Sequence, residues 1–229
     1  MVAAGAGTRL GARQPKAFVP LAGVPILGHA LRGALACPDV AEVVVVAPAS
    51  HLTQARELGS WAGADAEGHG VRPAGSAAYV TVVTGGAERG HSVSAGLAAL
   101  SPAVTVVLVH DAARCLTPVA VFERVIAAVR DGAPAVVPGL AVVDTVKQVD
   151  DRGRVVATPD RSTLRAIQTP QAFDRDVLER AHALSSEATD DAALVERLGQ
   201  PVLVVPGDPA ALKVTTPADL DVAARILAG

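Results

Sequence analysis

Residues 1–16 read MVAAGAGTRLGARQPK. A short apolar lead, Val2-Ala3-Ala4, runs into Gly5-Ala6-Gly7, and Thr8, Arg9 and Pro15-Lys16 follow. Glycine lets backbone N–H groups approach an anion closely and tolerates positive φ, so this turn is suited to wrapping a polyphosphate. Arg9 and Lys16 add cationic side chains to the same loop. Spacing excludes two familiar glycine loops. A P-loop needs a Lys-Ser/Thr pair that neither Gly5 nor Gly7 finds at the right distance. A dinucleotide fold wants a third glycine, and an acid closing the next strand to hold a ribose. Leu10 stands at the third glycine, and the next apolar run closes on Ala47-Pro48-Ala49.

Outward from this turn, helical and extended patterns alternate. Ile26, Leu27, Ala30, Leu31, Ala34 and Leu35 predict a helix over 25–36. Glu42-Val43-Val44-Val45-Val46-Ala47 is a continuous apolar run, as a strand buried on both faces of a parallel sheet requires. A weaker helix is predicted over 52–58, then a Gly/Ala-rich surface loop over 59–78 that holds the only Trp, Trp61. Strands at 80–83, 104–109 and 135–137 alternate with helices at 93–100 and 119–130. The order implies the α/β class: a doubly wound, mostly parallel sheet with right-handed crossovers. The rhythm then changes. Residues 142–149, a turn at Asp150-Asp151-Arg152-Gly153, and 154–156 read as a projecting β-hairpin arm (140–158). Thr163 to Thr169 returns to the body. Helices at 175–184 and 190–198 and a strand at 202–205 follow. Thr216 caps a last helix, with Pro217 at its first position and Asp219 in its first turn.

With 229 residues and no internal repeat or linker, 1–229 is expected to form one domain. Half the residues are hydrophobic, enough for a core although aromatics are scarce. A net charge of −3 without a basic tract argues against a nucleic-acid partner, but not against a local phosphate pocket. Cys37 and Cys115 form no framework or ligand cluster and read as reduced core residues. No signal peptide or long apolar run is present, so no membrane partner and a cytoplasmic location are expected.

Ligands in open α/β sheets gather beyond the carboxyl ends of strands. The polar groups there are Arg9 and Lys16, Arg89 and Ser92 (in Gly85-Gly86-Ala87-Glu88-Arg89-Gly90-His91-Ser92), and His110-Asp111. Lys213 stands in a late apolar segment. A carboxylate just past a buried strand suits Mg²⁺, which completes its shell with phosphate oxygens and water. Asp111 reads equally as a helix cap or an ion pair to Arg114. His110 reads as a base or a structural imidazole, and Arg89 as a phosphate or surface cation. Asp144 and Lys147 read as a solvated hairpin face. Together these groups suit nucleotidyl transfer, which depends on positioning and charge neutralisation at phosphorus rather than on a protein nucleophile.

Six stretches, in order, resemble the 2-C-methyl-D-erythritol 4-phosphate cytidylyltransferase family. They are A-A-G-x-G-x-R with the later P-K, G-G-x-x-R-x-x-S-V from Gly85, and V-H-D-A-A-R from Val109. D-T-V-K from Asp144, T-P-Q from Thr169 and K-V-T-x-P-x-D-L from Lys213 complete the set. The resemblance implies a Rossmann-like nucleotidyltransferase fold. It also implies transfer from CTP to methylerythritol 4-phosphate, with diphosphate released, in non-mevalonate isoprenoid synthesis. Arg9 and Lys16 would then stabilise the crowded, negatively charged α-phosphorus, while Arg161 and Lys213 would position the attacking phosphate. Asp111 would hold Mg²⁺. Ala3, Ala4, Gly5, Gly86 and Ser92 would surround cytosine and ribose, with Gly7, Arg89 and Ala112 also at the substrate. Thr145 and Thr169 would contact the sugar phosphate, Thr145 across a homodimer interface clasped by the arm. The competing readings are a ribitol-5-phosphate cytidylyltransferase and a catalytically silent nucleotide-binding domain.

Three departures from that family stand out. Relatives carry a longer apolar strand before A-A-G, where this sequence has only Met1-Val2. The expectation is a chain started late, or a shortened central strand whose gap weakens the fold. About four buried aliphatics at ~1.5–3 kcal/mol each rival a domain's stability of ~5–15 kcal/mol. Cys115 replaces a proline, and Ala87 stands where some relatives have an acid.

Overall fold

The structure, a computed structural model, describes residues 1–5, 7, 10–12, 14–62, 79–86, 88–184 and 190–229. A 3₁₀ turn (Lys16–Phe18) leads into a tight hairpin of β1 (Pro20–Leu21) and β2 (Val24–Pro25). Its turn places Ala22 and Gly23 at positive φ, 49° and 83°, where glycine alone is unstrained. There follow α1 (Ile26–Leu35), β3 (Glu42–Ala47), α2 (Leu52–Ala62), β4 (Tyr79–Thr84), α3 (Arg89–Ala98), β5 (Val106–Val109), α4 (Val119–Arg130) and β6 (Ala135–Ala141). The later part holds β7 (Gln148–Val149), β8 (Val155–Ala157), β9 (Arg165–Ile167), β10 (Gln171–Asp174), α5 (Arg175–Leu184), α6 (Asp191–Arg197), β11 (Leu203–Pro206) and α7 (Pro217–Ala228).

Strands β3 and β4 pair in parallel from Glu42↔Tyr79 to Ala47↔Thr84. A second group runs β11–β6–β10–β5, with β9 on the margin of β6. Val2 joins the two groups by parallel bridges to Val46 and Asp111. The central order is therefore β4, β3, residues 1–3, β5, β10, β6, β11. The sheet is mostly parallel as expected, with β10 antiparallel to both β5 and β6. Apolar clusters cover both faces. Phe18, Leu21, Ile26, Leu27 and Leu31 pack against Val43 and Val45 on one. Val93, Leu97, Phe173, Leu178 and Val195 pack with Val107 and Val109 on the other.

Met1 donates its amino group to the Val44 carbonyl at 2.7 Å, and Val2 and Ala3 donate to His110 and Val46. Alongside this short stretch, β3 and β5 face each other across an apolar cavity of about 480 Å³, whose lining includes Val43, Leu97, Val107 and Phe122. The Met1 side chain is half-buried but its amino group lies inside, and burial pushes the amine down to about 6.

Two expectations change. Helix α2 continues through 59–62, which the composition assigns to a loop. Gly59 lets it lie on β4, since a Cβ there would meet Val80 Cγ1 at 2.9 Å. Trp61 packs over Gly28, and the Arg32 guanidinium sits 3.5 Å from its ring centroid. The rest of that stretch, 63–78, lies outside the described residues. The hairpin ladder is also shorter than the alternation implies, joining Gln148 to Ala157 and Val149 to Val155. Side-chain bonds hold the base of the arm instead. Lys147 donates to Thr158 at 2.8 Å, and Arg161 donates to the Val143 carbonyl. The arm's valines do not reach the core: Val143 is 78% exposed and Val155 58%.

Candidate functional site

A cavity of about 370 Å³ opens beyond the carboxyl ends of β4, β5 and the residue 1–3 strand. It gathers Ala3, Ala4, Gly5, Lys16, Gly86, Arg89, Ser92, Asp111, Ala112 and Lys213. Ten of the residues singled out from sequence thus meet, although they come from five separate stretches.

Local chemistry explains how each stretch arrives. Gly7 adopts φ 66°, and a Cβ on it would collide with Lys16, so this glycine lets the loop fold onto the lysine. Gly7 shapes the wall rather than lining the cavity. Past β4, a Cβ on Gly85 would meet Ala4 at 2.7 Å, and one on Gly86 would run into His91. The first glycine lets β4's end approach the N-terminal strand, and the second lets the turn fold onto α3. Helix α3 starts at Arg89, so its first-turn N–H groups lie at the cavity mouth, where an anion is favoured. Ser92 is buried and its hydroxyl donates to the Glu88 carbonyl at 3.1 Å.

The end of β5 is wired from behind. Thr169 accepts from the Asp111 backbone N–H at 3.0 Å and pairs with His110 Nδ1 at 3.0 Å. Thr169 is buried and does not line the cavity itself. Burial pushes the His110 imidazole down to about 3, so it is a neutral structural group and not a base. Arg114 does not pair with Asp111. Its guanidinium donates to the carbonyls of Ala211 (2.8 Å) and Ile167 (3.1 Å). Val214 donates to the Ala113 carbonyl at 2.9 Å, which docks the Lys213 segment onto this loop.

Lys213 Nζ and Asp111 Oδ2 lie 2.6 Å apart. Burial alone would raise the Asp111 carboxyl, but the Lys213 and Arg89 charges outweigh it and hold it below the usual carboxylate range. It is an ionised acid beside two cations. Among the described residues no group of three or more His, Cys, Asp or Glu could cage a metal. One carboxylate, with Glu88 nearby on the same cavity, suits Mg²⁺ that takes its remaining ligands from phosphate and water.

Thr145 and Arg161 are not brought to this cavity. Both are exposed on or beside the arm. Arg9 lies outside the described residues. Sequence reasoning missed Asp191, which is fully buried and pairs with Arg89 at 2.7 Å. It also missed Gln168, whose amide bridges both backbone groups of Asp208. Neither has a local signal, because each partner is tens of residues away. No described helix is long and apolar enough to cross a membrane.

The chain matches the model of the family IspD: 2-C-methyl-D-erythritol 4-phosphate cytidylyltransferase over residues 1–229. It is 50% identical to the 2-C-methyl-D-erythritol 4-phosphate cytidylyltransferase of Nocardia farcinica over 225 residues, 98% of this chain and 91% of that protein. Its fold is similar to the crystal structure of the 2-C-methyl-D-erythritol 4-phosphate cytidylyltransferase of Thermus thermophilus. The TM-score is 0.74 at 33% identity, covering 100% of this chain and 97% of the other. The 4-diphosphocytidyl-2C-methyl-D-erythritol synthase of Anaerococcus prevotii superposes with a TM-score of 0.81 at 27% identity, over 100% and 96% of the two chains. With the cavity's residues and the whole length of the sequence in agreement, the chain belongs to the 2-C-methyl-D-erythritol 4-phosphate cytidylyltransferase family.

Proposed function

We propose that the cavity binds CTP and that the chain transfers CMP to 2-C-methyl-D-erythritol 4-phosphate. The products are 4-CDP-2-C-methyl-D-erythritol and diphosphate, in non-mevalonate isoprenoid precursor synthesis. The observation that carries this reading is the convergence of Lys16, Arg89, Asp111 and Lys213 on one cavity beside Gly5 and Gly86.

The nucleophile is a phosphate oxygen that is already anionic, so no protein base is required. A neutral, buried His110 agrees with that. Lys16, with Arg9 seven residues before it, stabilises charge that builds at the α-phosphorus as the new bond forms. Lys213 positions the attacking phosphate. Ala3, Ala4 and Gly5 present backbone groups to cytosine, whose exocyclic amine is a donor that uracil lacks. Asp111, with Glu88, would hold Mg²⁺, which would supply charge neutralisation for the triphosphate there.

Thr145 and Arg161 act from the arm of a second subunit in this reading. They lie away from their own cavity, and the arm carries exposed valines that an isolated two-stranded hairpin cannot bury alone.

Diphosphate release with CTP and methylerythritol 4-phosphate, measured beside ribitol 5-phosphate, tests the assignment. Turnover with methylerythritol 4-phosphate alone is expected. Turnover with ribitol 5-phosphate alone would select the cousin enzyme. Release with neither would return the chain to a silent nucleotide-binding role. Sedimentation of the full chain and of Val143→Asp/Val155→Asp tests the dimer. Equal masses for the two would refute the arm as its clasp.

A further inference from the structure

Arg89 reaches the cavity with its guanidinium held by an acid from a distant part of the chain. Its Nη2 lies 2.7 Å from Asp191 Oδ2, and Asp191 has no solvent exposure while Arg89 keeps about a third of its own. The other oxygen of Asp191 accepts from His182 Nε2 at 2.9 Å, and that imidazole is itself buried. Asp191 cannot drift, because the segment around it is tied down. The Asp190 carboxylate caps α6 through the Ala193 N–H (3.0 Å) and accepts from the Gln171 amide (2.9 Å). Gln171 in turn accepts from the Ala192 N–H at 3.3 Å. Three elements, β10, α5 and α6, thus converge to fix one carboxylate.

Adhesion between α3 and α6 does not require this arrangement. Val93 and Leu97 already share an apolar cluster with Ala192, Leu194 and Val195. Burying an ionised carboxylate in such a place is costly unless it is paired and hydrogen-bonded, and apolar residues of equal volume usually serve stability as well or better. The buried acid therefore needs a reason on the cavity side. Arg89 also feels the charges of Asp111 and Asp190. Without a fixed anchor, its guanidinium would be drawn across the cavity to Asp111, covering the carboxylate and the space an anion would take. A guanidinium has five donors in a rigid fork, so one edge can be anchored while another faces a ligand.

We propose that Asp191, locked by His182, is a positioning residue for the nucleotide: it holds Arg89 off Asp111 and aims it at the anionic end of bound CTP. The proposal rests on the nucleotide-binding reading of the cavity given above.

A double-mutant cycle in the full chain tests it, with CTP binding by calorimetry and steady-state kinetics read together. Arg89→Met and Asp191→Asn are each expected to weaken CTP binding about tenfold, raising KM for CTP more than they lower kcat. The double variant should bind no more weakly than Arg89→Met alone, because Asp191 acts only through Arg89. Asp191→Glu, which keeps the charge and lengthens its reach, should recover part of the loss. Unchanged CTP affinity in Asp191→Asn would overturn the proposal. So would a double variant in which the two losses multiply, since that marks a general structural effect. If Arg89→Met binds CTP like the parent, it is the nucleotide reading of Arg89 that fails, and the positioning role falls with it. Should Asp191→Asn not fold, His182→Gln, which loosens the lock on the Asp191 carboxylate, takes its place in the cycle. Parental affinity there, or a loss that persists undiminished in the Arg89→Met background, overturns the proposal.

Discussion

Extending the chain by four apolar residues before Met1, for example Val-Ile-Val-Val, should stabilise it substantially. The cavity between β3 and β5 lies beside Met1 and offers room for added apolar side chains. Its walls are mostly apolar, and the Met1 nitrogen already donates to Val44 as a strand amide would. Four aliphatic side chains contribute ~6–12 kcal/mol on burial at ~1.5–3 kcal/mol each. Ordering four residues offsets about 6 kcal/mol of that. A second gain comes from the amine. Its folded value of about 6 against 8.0 in the free chain means that the unfolded state binds more protons between those limits. Stability contributed here is complete above pH 8 and lost as pH falls through 6. At pH 7 the ammonium therefore destabilises the fold by ~1.4 kcal/mol, a penalty that an uncharged amide would remove. The sum is roughly 1–7 kcal/mol, and at about 2–4 °C per kcal/mol for a chain of this size the midpoint should rise by roughly 3–30 °C. Thermal melting of the 229-residue and extended chains at pH 6, 7 and 8 checks both parts. The extended chain should melt higher throughout, and the difference should shrink as pH rises from 6 to 8. Equal midpoints would refute the strand argument. A difference that does not change with pH would refute the buried amine.

Other consequences are more local. Lys16→Ala and Lys213→Ala should each lower turnover by about 10²-fold or more, the scale of one preorganised charge contact, in an assay of diphosphate release. Lys213→Ala should also raise the Asp111 pKa, because burial would no longer be offset by the 2.6 Å ion pair; carboxyl-carbon NMR titration reads this directly. Thr169→Val should behave as a folding lesion. It removes the hydroxyl that accepts from the Asp111 N–H, with an expected loss of ~1–3 kcal/mol in denaturant unfolding. Mixing Arg161→Ala chains with Lys16→Ala chains should restore part of the activity that each lacks alone, if one subunit's arm completes the other's cavity.

What can be read before the coordinates, and what cannot, follows from the range of the forces involved. The run 42–47 and the helix 119–130 carry their burial pattern in consecutive residues, and both occur with the expected bounds. Two glycine positions are readable for a similar reason, since Gly7 and Gly86 make room for Lys16 and His91, which are close in sequence. Strand β10 is not readable. Its four residues, Gln171-Ala172-Phe173-Asp174, are too few for a period, and they become a strand because β5 and β6 leave a space between them. The hairpin arm shows the reverse error. Its alternating valines carry a true strand signal, but alternation marks a face that wants covering without saying what covers it, and here the protomer does not. The site divides along the same line. Motif residues identify which groups meet a ligand, whereas the acid paired with one of them, Asp191 with Arg89, lies 102 positions away and stands in none of the quoted motifs. A sequence names the hands of such a site more readily than the wrists. The wrists are where substitutions that leave every motif intact should still change affinity.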